Sequence, residues 1–211
     1  MKKLLIAMLS GTLTSLEVFF LTLIFALPLG LLICFGRMSK LKVLSYPLRF
    51  FMLVVRGTPL ILQLIFIYFA PYYIFKVSYN RFVAAIIAFA LNYACYFAEI
   101  YRGGIEAIPK GQYEAAKVLG FTKIQTFFRI ILPQVVKRIV PAMGNEFMTL
   151  VKDTALAQTI GVAELFRVAQ NASSRTFSVV PIFIAGVFYF VMNWLVSFAF
   201  ARIEKKMAYY H

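Results

Sequence analysis

The sequence predicts an all-α integral membrane protein with five transmembrane helices, and three observations carry that reading. Apolar residues make up 62% of the 211, and charged residues only 14%. A water-soluble domain of this size needs about a quarter of its residues charged to cover its surface. Apolar runs recur at close to the roughly 20 residues that a helix needs to cross a hydrocarbon core of about 30 Å. The formal net charge of +14, from 22 Lys+Arg against 8 Asp+Glu, gathers between those runs. Cytoplasmic loops of membrane proteins look like this, whereas a nucleic-acid binder carries its basic residues as a patch on a soluble fold. The length fits one domain, residues 1–211.

Leu13 to Phe35 gives the first span, interrupted by Glu17 and Pro28. The preceding Lys2-Lys3 and Leu4 to Leu9 imitate a signal peptide, but the run passes through Ser10-Gly11-Thr12 straight into this span. Leu60 to Phe75 is the second, opened by Arg56-Gly57-Thr58-Pro59 and closed at Lys76. Phe82 to Tyr101 is the third and Val179 to Ala201 the last. The fourth runs from Ile139 through Lys152 and Asp153 to Ile160, with a bend expected at Pro141 and Gly144. Cys34 and Cys95 both fall inside apolar runs and read as free thiols. The sole histidine is His211, and no Cys or His pair stands at metal-ligand spacing.

Five spans put the two ends on opposite sides. The loop Arg37–Arg56, the loop Arg102–Arg138 and the C-terminal tail together hold fifteen of the 22 basic residues. That side is expected to be cytoplasmic, leaving the N-terminus outside and the C-terminus inside.

The loop between the third and fourth spans, residues 102–138, is the most informative. Gln112 to Leu119 reads as a short helix of good formers closed by Gly120 in the left-handed terminating position. Tyr113, Ala116 and Leu119 form a narrow apolar stripe. Eight residues are too few for a stable helix in water, so it persists only when docked. The small Ala115-Ala116 pair permits close approach and Glu114 offers a charge. On physical grounds alone, a helix inserted into a partner and a capped connector on the membrane surface fit equally well.

Glu114-Ala115-Ala116, then Gly120, then Ile131-Leu132-Pro133 resembles the cytoplasmic loop signature of bacterial ABC importer permeases. Arg56-Gly57-Thr58-Pro59-Leu60 with Gln63, Ala98-Glu99-Ile100-Tyr101-Arg102-Gly103-Gly104-Ile105, and Lys152-Asp153-Thr154 leading to Ile160-Gly161-Val162-Ala163-Glu164-Leu165 resemble the polar amino acid branch. The resemblance implies a type I permease fold in a bacterial cell membrane. It implies a coupling helix at Glu114, Ala115, Ala116 and Gly120 that enters a cleft of a separate ATP-binding subunit. It implies a second permease, identical or paralogous, and an extracellular amino-acid-binding protein. Ala155 departs from the pattern, standing where a Ser is usual after Asp-Thr.

Polar groups within spans need a reason, because a charge at the bilayer centre costs about 2.5–3.5 kcal/mol on insertion scales. Glu17 reads as a solvated helix end. Asn92, Tyr96 and Glu99 share one face of the third span, and Glu99 either faces a wet cavity or pairs with Arg102. On the fourth span, Asn145, Glu146, Thr149, Lys152 and Asp153 form a broad polar face. Lys152 and Asp153 are adjacent and point about 100° apart, so they suit separate partners. A zwitterionic amino acid supplies both; the other reading is a helix stopping at Val151, with both residues at the outer interface. Glu17, Glu99, Glu146 and Asp153 together hint at a cationic substrate such as arginine. By contrast, Ala90, Ala94 and Ala98 read as a packing stripe.

Three functions compete. An importer permease leads. A stand-alone secondary transporter or channel for small polar solutes would need no ATPase and leaves the long helix-forming loop without a use. A membrane-embedded enzyme lacks both a metal-binding pair and a nucleophile with a visible base. The sequence contains no phosphate-binding Gly-x-x-x-x-Gly-Lys-Ser/Thr, so the chain itself is expected to be no enzyme, with no cofactor of its own and ATP bound by the partner.

Overall fold

The computed structural model describes residues 2–78 and 80–207; His211 lies outside them. Nine α-helices occur among the described residues, with no strand. They are α1 Lys2–Met38, α2 Lys42–Gly57, α3 Leu60–Phe75, α4 Arg81–Glu106, α5 Lys110–Val118, α6 Lys123–Gln125, α7 Leu132–Asp153, α8 Leu165–Thr176 and α9 Val180–Met207. A π-helical stretch, Thr126–Ile131, leads into α7, and a 3-10 turn, Thr154–Ile160, follows it.

By length and composition α1, α4 and α9 can each cross a membrane. The pair α2 and α3 adds a fourth candidate, bent by 109° at Thr58-Pro59. The bend has a local cause: Pro59 sits at the start of α3 and forces extended backbone on Thr58 (φ −116°, ψ 146°). At 22 residues α7 is about 33 Å long, enough to span. Its charged residues Lys137, Arg138, Glu146, Lys152 and Asp153 set it apart from the other three.

The bundle is built on α1 against α4, the most extensive helix pair in the fold. Small residues make this approach possible. Ala94 and Ala98 are fully buried and Ala90 nearly so, and a Cβ on Gly30 would stand 3.0 Å from that of Phe97. At the far end of α1, Gly11 lies so close to α8 that a Cβ would meet the Leu165 backbone at 2.9 Å. Phe147 of α7 is the aromatic hub, with ring centroids 6.1 Å from Phe19 of α1, 6.0 Å from Phe97 of α4 and 5.0 Å from Phe200 of α9. The outer faces of α3 and α9 stay apolar: Leu64 is the only buried residue of α3, and Phe183, Val187, Phe190 and Trp194 of α9 are exposed.

Three expectations change. The fourth span does not continue as one α-helix to Ile160: α7 ends at Asp153, and Gly161 reverses the chain at φ 85°. The segment between Arg37 and Arg56 is no loop, since α2 occupies most of it. The last correction concerns α5, whose Ala116 faces inward (1% exposed) beneath exposed Tyr113 and Leu119, so these three do not form one outward stripe.

Candidate substrate path and coupling helix

The orientation of α7 follows from its apolar residues. Met143, Phe147, Leu150 and Val151 turn into the bundle, which points Asn145, Thr149 and Lys152 outward, all three exposed. Glu146 and Asp153 flank that face and are half-buried. Asp153 turns toward α4, where the phenol of fully buried Tyr93 donates to its Oδ2 at 2.8 Å. Lys152 points away, as adjacent helical positions require. Thr149 donates its hydroxyl to the Asn145 carbonyl at 3.0 Å. The face therefore presents one amide, one anchored carboxylate, a second carboxylate and one ammonium over the last two turns of α7.

Glu99 lies elsewhere. It is six residues beyond Tyr93 on α4, about 9 Å along the axis. Arg37 of α1 and Arg102 both pair with it, and Arg56 Nη1 stands 3.7 Å away. Arg102 also pairs with Glu106. The expected face of Asn92, Tyr96 and Glu99 does point into the bundle, but onto the bent joint of α2 and α3. Asn92 donates to Gln63 Oε1 at 3.0 Å, and Gln63 donates to the Val55 carbonyl at 2.7 Å and to Thr58 Oγ1 at 2.9 Å. The Arg56 guanidinium stacks 5.3 Å from the Tyr96 ring. The structure brings Asn145, Glu146, Thr149, Lys152 and Asp153 together on α7 and keeps Glu99 with the arginines. Glu17 is exposed on α1.

The α5 region is a capped platform. The Phe121 N–H donates to the Ala116 carbonyl (3.0 Å) and the Gly120 N–H to that of Lys117 (3.1 Å), with Gly120 at φ 77°. This double closure requires the left-handed residue that glycine supplies without strain. Beneath α5, Ile108, Ile131 and Val135 form a small separate core, and Gln134 donates to Gln112 at 3.3 Å. Glu114, Ala115, Val118 and Leu119 are left facing outward. The platform is thus fastened to the start of α7.

Two buried polar groups are not singled out by sequence spacing alone. Glu164 is 0% exposed and caps α8, accepting from the N–H groups of Phe166 and Arg167 (2.7 Å each) and from the Tyr189 hydroxyl (2.9 Å). Its signal was an acid between Gly161 and a helical run, an N-terminal cap pattern. The other is Tyr93, whose signal is that a tyrosine inside an apolar span must find a partner for its hydroxyl.

A bent, mostly apolar bundle with one polar helix face and a short helix fastened to the start of α7 fits a membrane permease component. The chain belongs to the family of binding-protein-dependent transport system inner membrane components, which matches residues 10–209. A putative glutamine transport system permease protein of Rickettsia felis is 41% identical over 198 residues, 93% of this chain and 91% of its own. An L-cystine transport system permease protein of Bacillus subtilis is 40% identical over 192 residues, 90% of this chain and 82% of its own. A crystal structure of an amino acid ABC transporter with histidines superposes with a TM-score of 0.90 at 36% identity, covering 98% of this chain and 96% of that one. The resemblance to amino acid importer permeases, and with it the all-helical permease fold, is borne out.

Proposed function

We propose that the chain forms half of the translocation path of an ATP-driven importer for a polar amino acid with a cationic side chain. The observation that carries the reading is the α7 face, where Asp153 is anchored by Tyr93 and Lys152 diverges from it. Asp153 receives an ammonium group, Lys152 a carboxylate, and Asn145, Glu146 and Thr149 complete the site. Two carboxylates against one ammonium leave a net charge of −1, which a monocationic amino acid neutralises. Glu99, already paired with Arg37 and Arg102, serves instead to hold α1, α2 and α4 together.

In this reading Glu114, Ala115 and Gly120 shape the surface that a separate ATPase engages, with Ala116 packed beneath. ATP binds that partner. A second permease copy or paralogue closes the path, and an extracellular binding protein delivers the amino acid. All five spans place α5 and the C-terminus in the cytoplasm and the N-terminus outside. The test is ATP-dependent uptake of labelled arginine, histidine, glutamine and cystine into vesicles holding the complete complex. Uptake of the basic amino acids, abolished without the ATPase, is expected. Uptake by the permease alone, driven by an ion gradient, would establish a secondary transporter instead.

A further inference from the structure

We propose that α2 lies in the cytoplasmic membrane interface as an in-plane anchor that selects anionic phospholipid headgroups through Lys40, Lys42 and Arg49. The proposal takes its cytoplasmic placement from the orientation above, but its test reads lipid contact whichever side α2 faces.

Geometry comes first. With α3 standing across the membrane, the 109° bend lays α2 nearly along the bilayer plane. Three faces then separate around α2. Ser45 and Met52 turn into the protein, where the Met52 sulfur lies 3.7 Å from an Arg37 nitrogen. A second face is apolar and unpacked: Val43 is 90% exposed, Phe50 68% and Val54 46%. Between them runs a basic stripe, Lys42, Arg49 and Arg56, recurring every seven residues and so aligned along the helix. Arg56 is held by Glu99 and the Tyr96 ring. Among the described residues no carboxylate pairs with Lys40, Lys42 or Arg49; Arg49 only approaches the Tyr46 ring, at 6.0 Å.

An apolar face beside a basic edge is the chemistry of a helix seated at the boundary between acyl chains and phosphates. A second copy of the chain does not suit this surface. No acidic residue stands between Glu17 and Glu99, so a twofold contact through α2 would oppose Lys42 and Arg49 with like charges.

The experiment uses the full complex carrying Phe50→Trp with Trp194→Phe, in vesicles of phosphatidylcholine and phosphatidylglycerol. Bromine is placed on the acyl chains of one lipid at a time. Quenching of the new tryptophan is expected, and brominated phosphatidylglycerol should quench more than its share of the bilayer. That preference should fall about fivefold for each cation removed across the series Lys40→Gln, Lys42→Gln and Arg49→Gln. Native mass spectrometry of the complex without the tryptophan exchanges gives a second reading: the triple Gln variant should retain less phosphatidylglycerol than a Lys205→Gln/Lys206→Gln control. Equal quenching by both lipids, or equal retention by the triple variant and the control, overturns headgroup selection. A tryptophan quenched by acrylamide and untouched by either brominated lipid overturns the interfacial placement.

Discussion

Replacing Asp153 by Asn keeps the size of the side chain and an oxygen for the Tyr93 hydroxyl, and removes only the charge. If Asp153 receives the substrate ammonium, the substitution removes a charge-assisted contact worth about 1.5–3 kcal/mol. Affinity should then fall roughly ten- to hundredfold. Tyr93→Phe tests the same assignment from the other side, because it leaves the charge and removes the group that aims it. The anchoring bond is 2.8 Å long and joins two helices, so its loss frees the carboxylate to turn while the apolar packing of the ring survives. A smaller loss, about three- to tenfold, is expected, and the double variant should be less than additive because both substitutions act on one contact. The assay pairs substrate binding and ATP-driven uptake with thermal unfolding of the same purified complex. Basal ATP hydrolysis should persist, since α5 is untouched. A structural role for the pair would instead lower thermal stability and leave affinity unchanged. Normal uptake by Asp153→Asn would refute the substrate assignment outright.

Other perturbations reach the remaining features. Gly120→Val forces a β-branched residue to φ near 77° and should cost about 1–3 kcal/mol at the α5 cap; substrate-stimulated ATP hydrolysis should vanish while membrane insertion is retained. Glu114→Lys reverses the only acid exposed on α5 and is expected to weaken ATPase binding, measured by copurification; normal copurification and uptake would remove α5 from the docking role. Glu164→Ala leaves three donors unmet in a buried place and should destabilise the chain by about 3 kcal/mol, read as a drop in melting temperature. A membrane-impermeant thiol probe should label Gly111→Cys only from the cytoplasmic face and Ser78→Cys only from outside, in a background lacking Cys34 and Cys95. Labelling of both from one side would contradict a crossing by α4.

The sequence announced elements whose boundaries are set by single residues. Helix α3 runs from Leu60 to Phe75 as expected, because Pro59 cannot continue a preceding helix and Lys76 adopts the left-handed conformation just beyond it. Gly120 was equally legible, since its position after a run of helix formers signals a left-handed cap. What stayed hidden depended on tertiary partners. Helices α2 and α8, of 16 and 12 residues, are amphipathic, and the charges on their polar faces keep them from reading as apolar spans. The basic residues of α2 counted as loop charge for the same reason. The periodicity of α7 grouped Asn145, Thr149 and Lys152 correctly, but only the packing of Phe147 shows which way that group faces. Ala116 looks partner-facing from local spacing, which contains nothing about the tertiary packing that buries it. Glu99 illustrates the limit most sharply: its nearest cation in sequence, Arg102, was a candidate from spacing, while Arg37 arrives from 62 positions away.

The cap of α8 has a bearing on how the chain is made. The Leu165 N–H donates to Ser15 Oγ across 150 residues, Gly11 lets the two backbones touch there, and Tyr189 of the last helix completes the Glu164 shell. None of these partners is present when α1 leaves the ribosome. The first helix must therefore wait in the lipid with only its contacts to α2, α4 and α7 in place, until α8 and α9 have been synthesised. Biogenesis then ends in a single late latching event in which a carboxylate loses its water only once α1, α8 and α9 can replace it. A ribosome stalled before Tyr189 should leave a nascent chain that is fully inserted yet open at this corner, and that intermediate is the one a membrane quality-control protease would find.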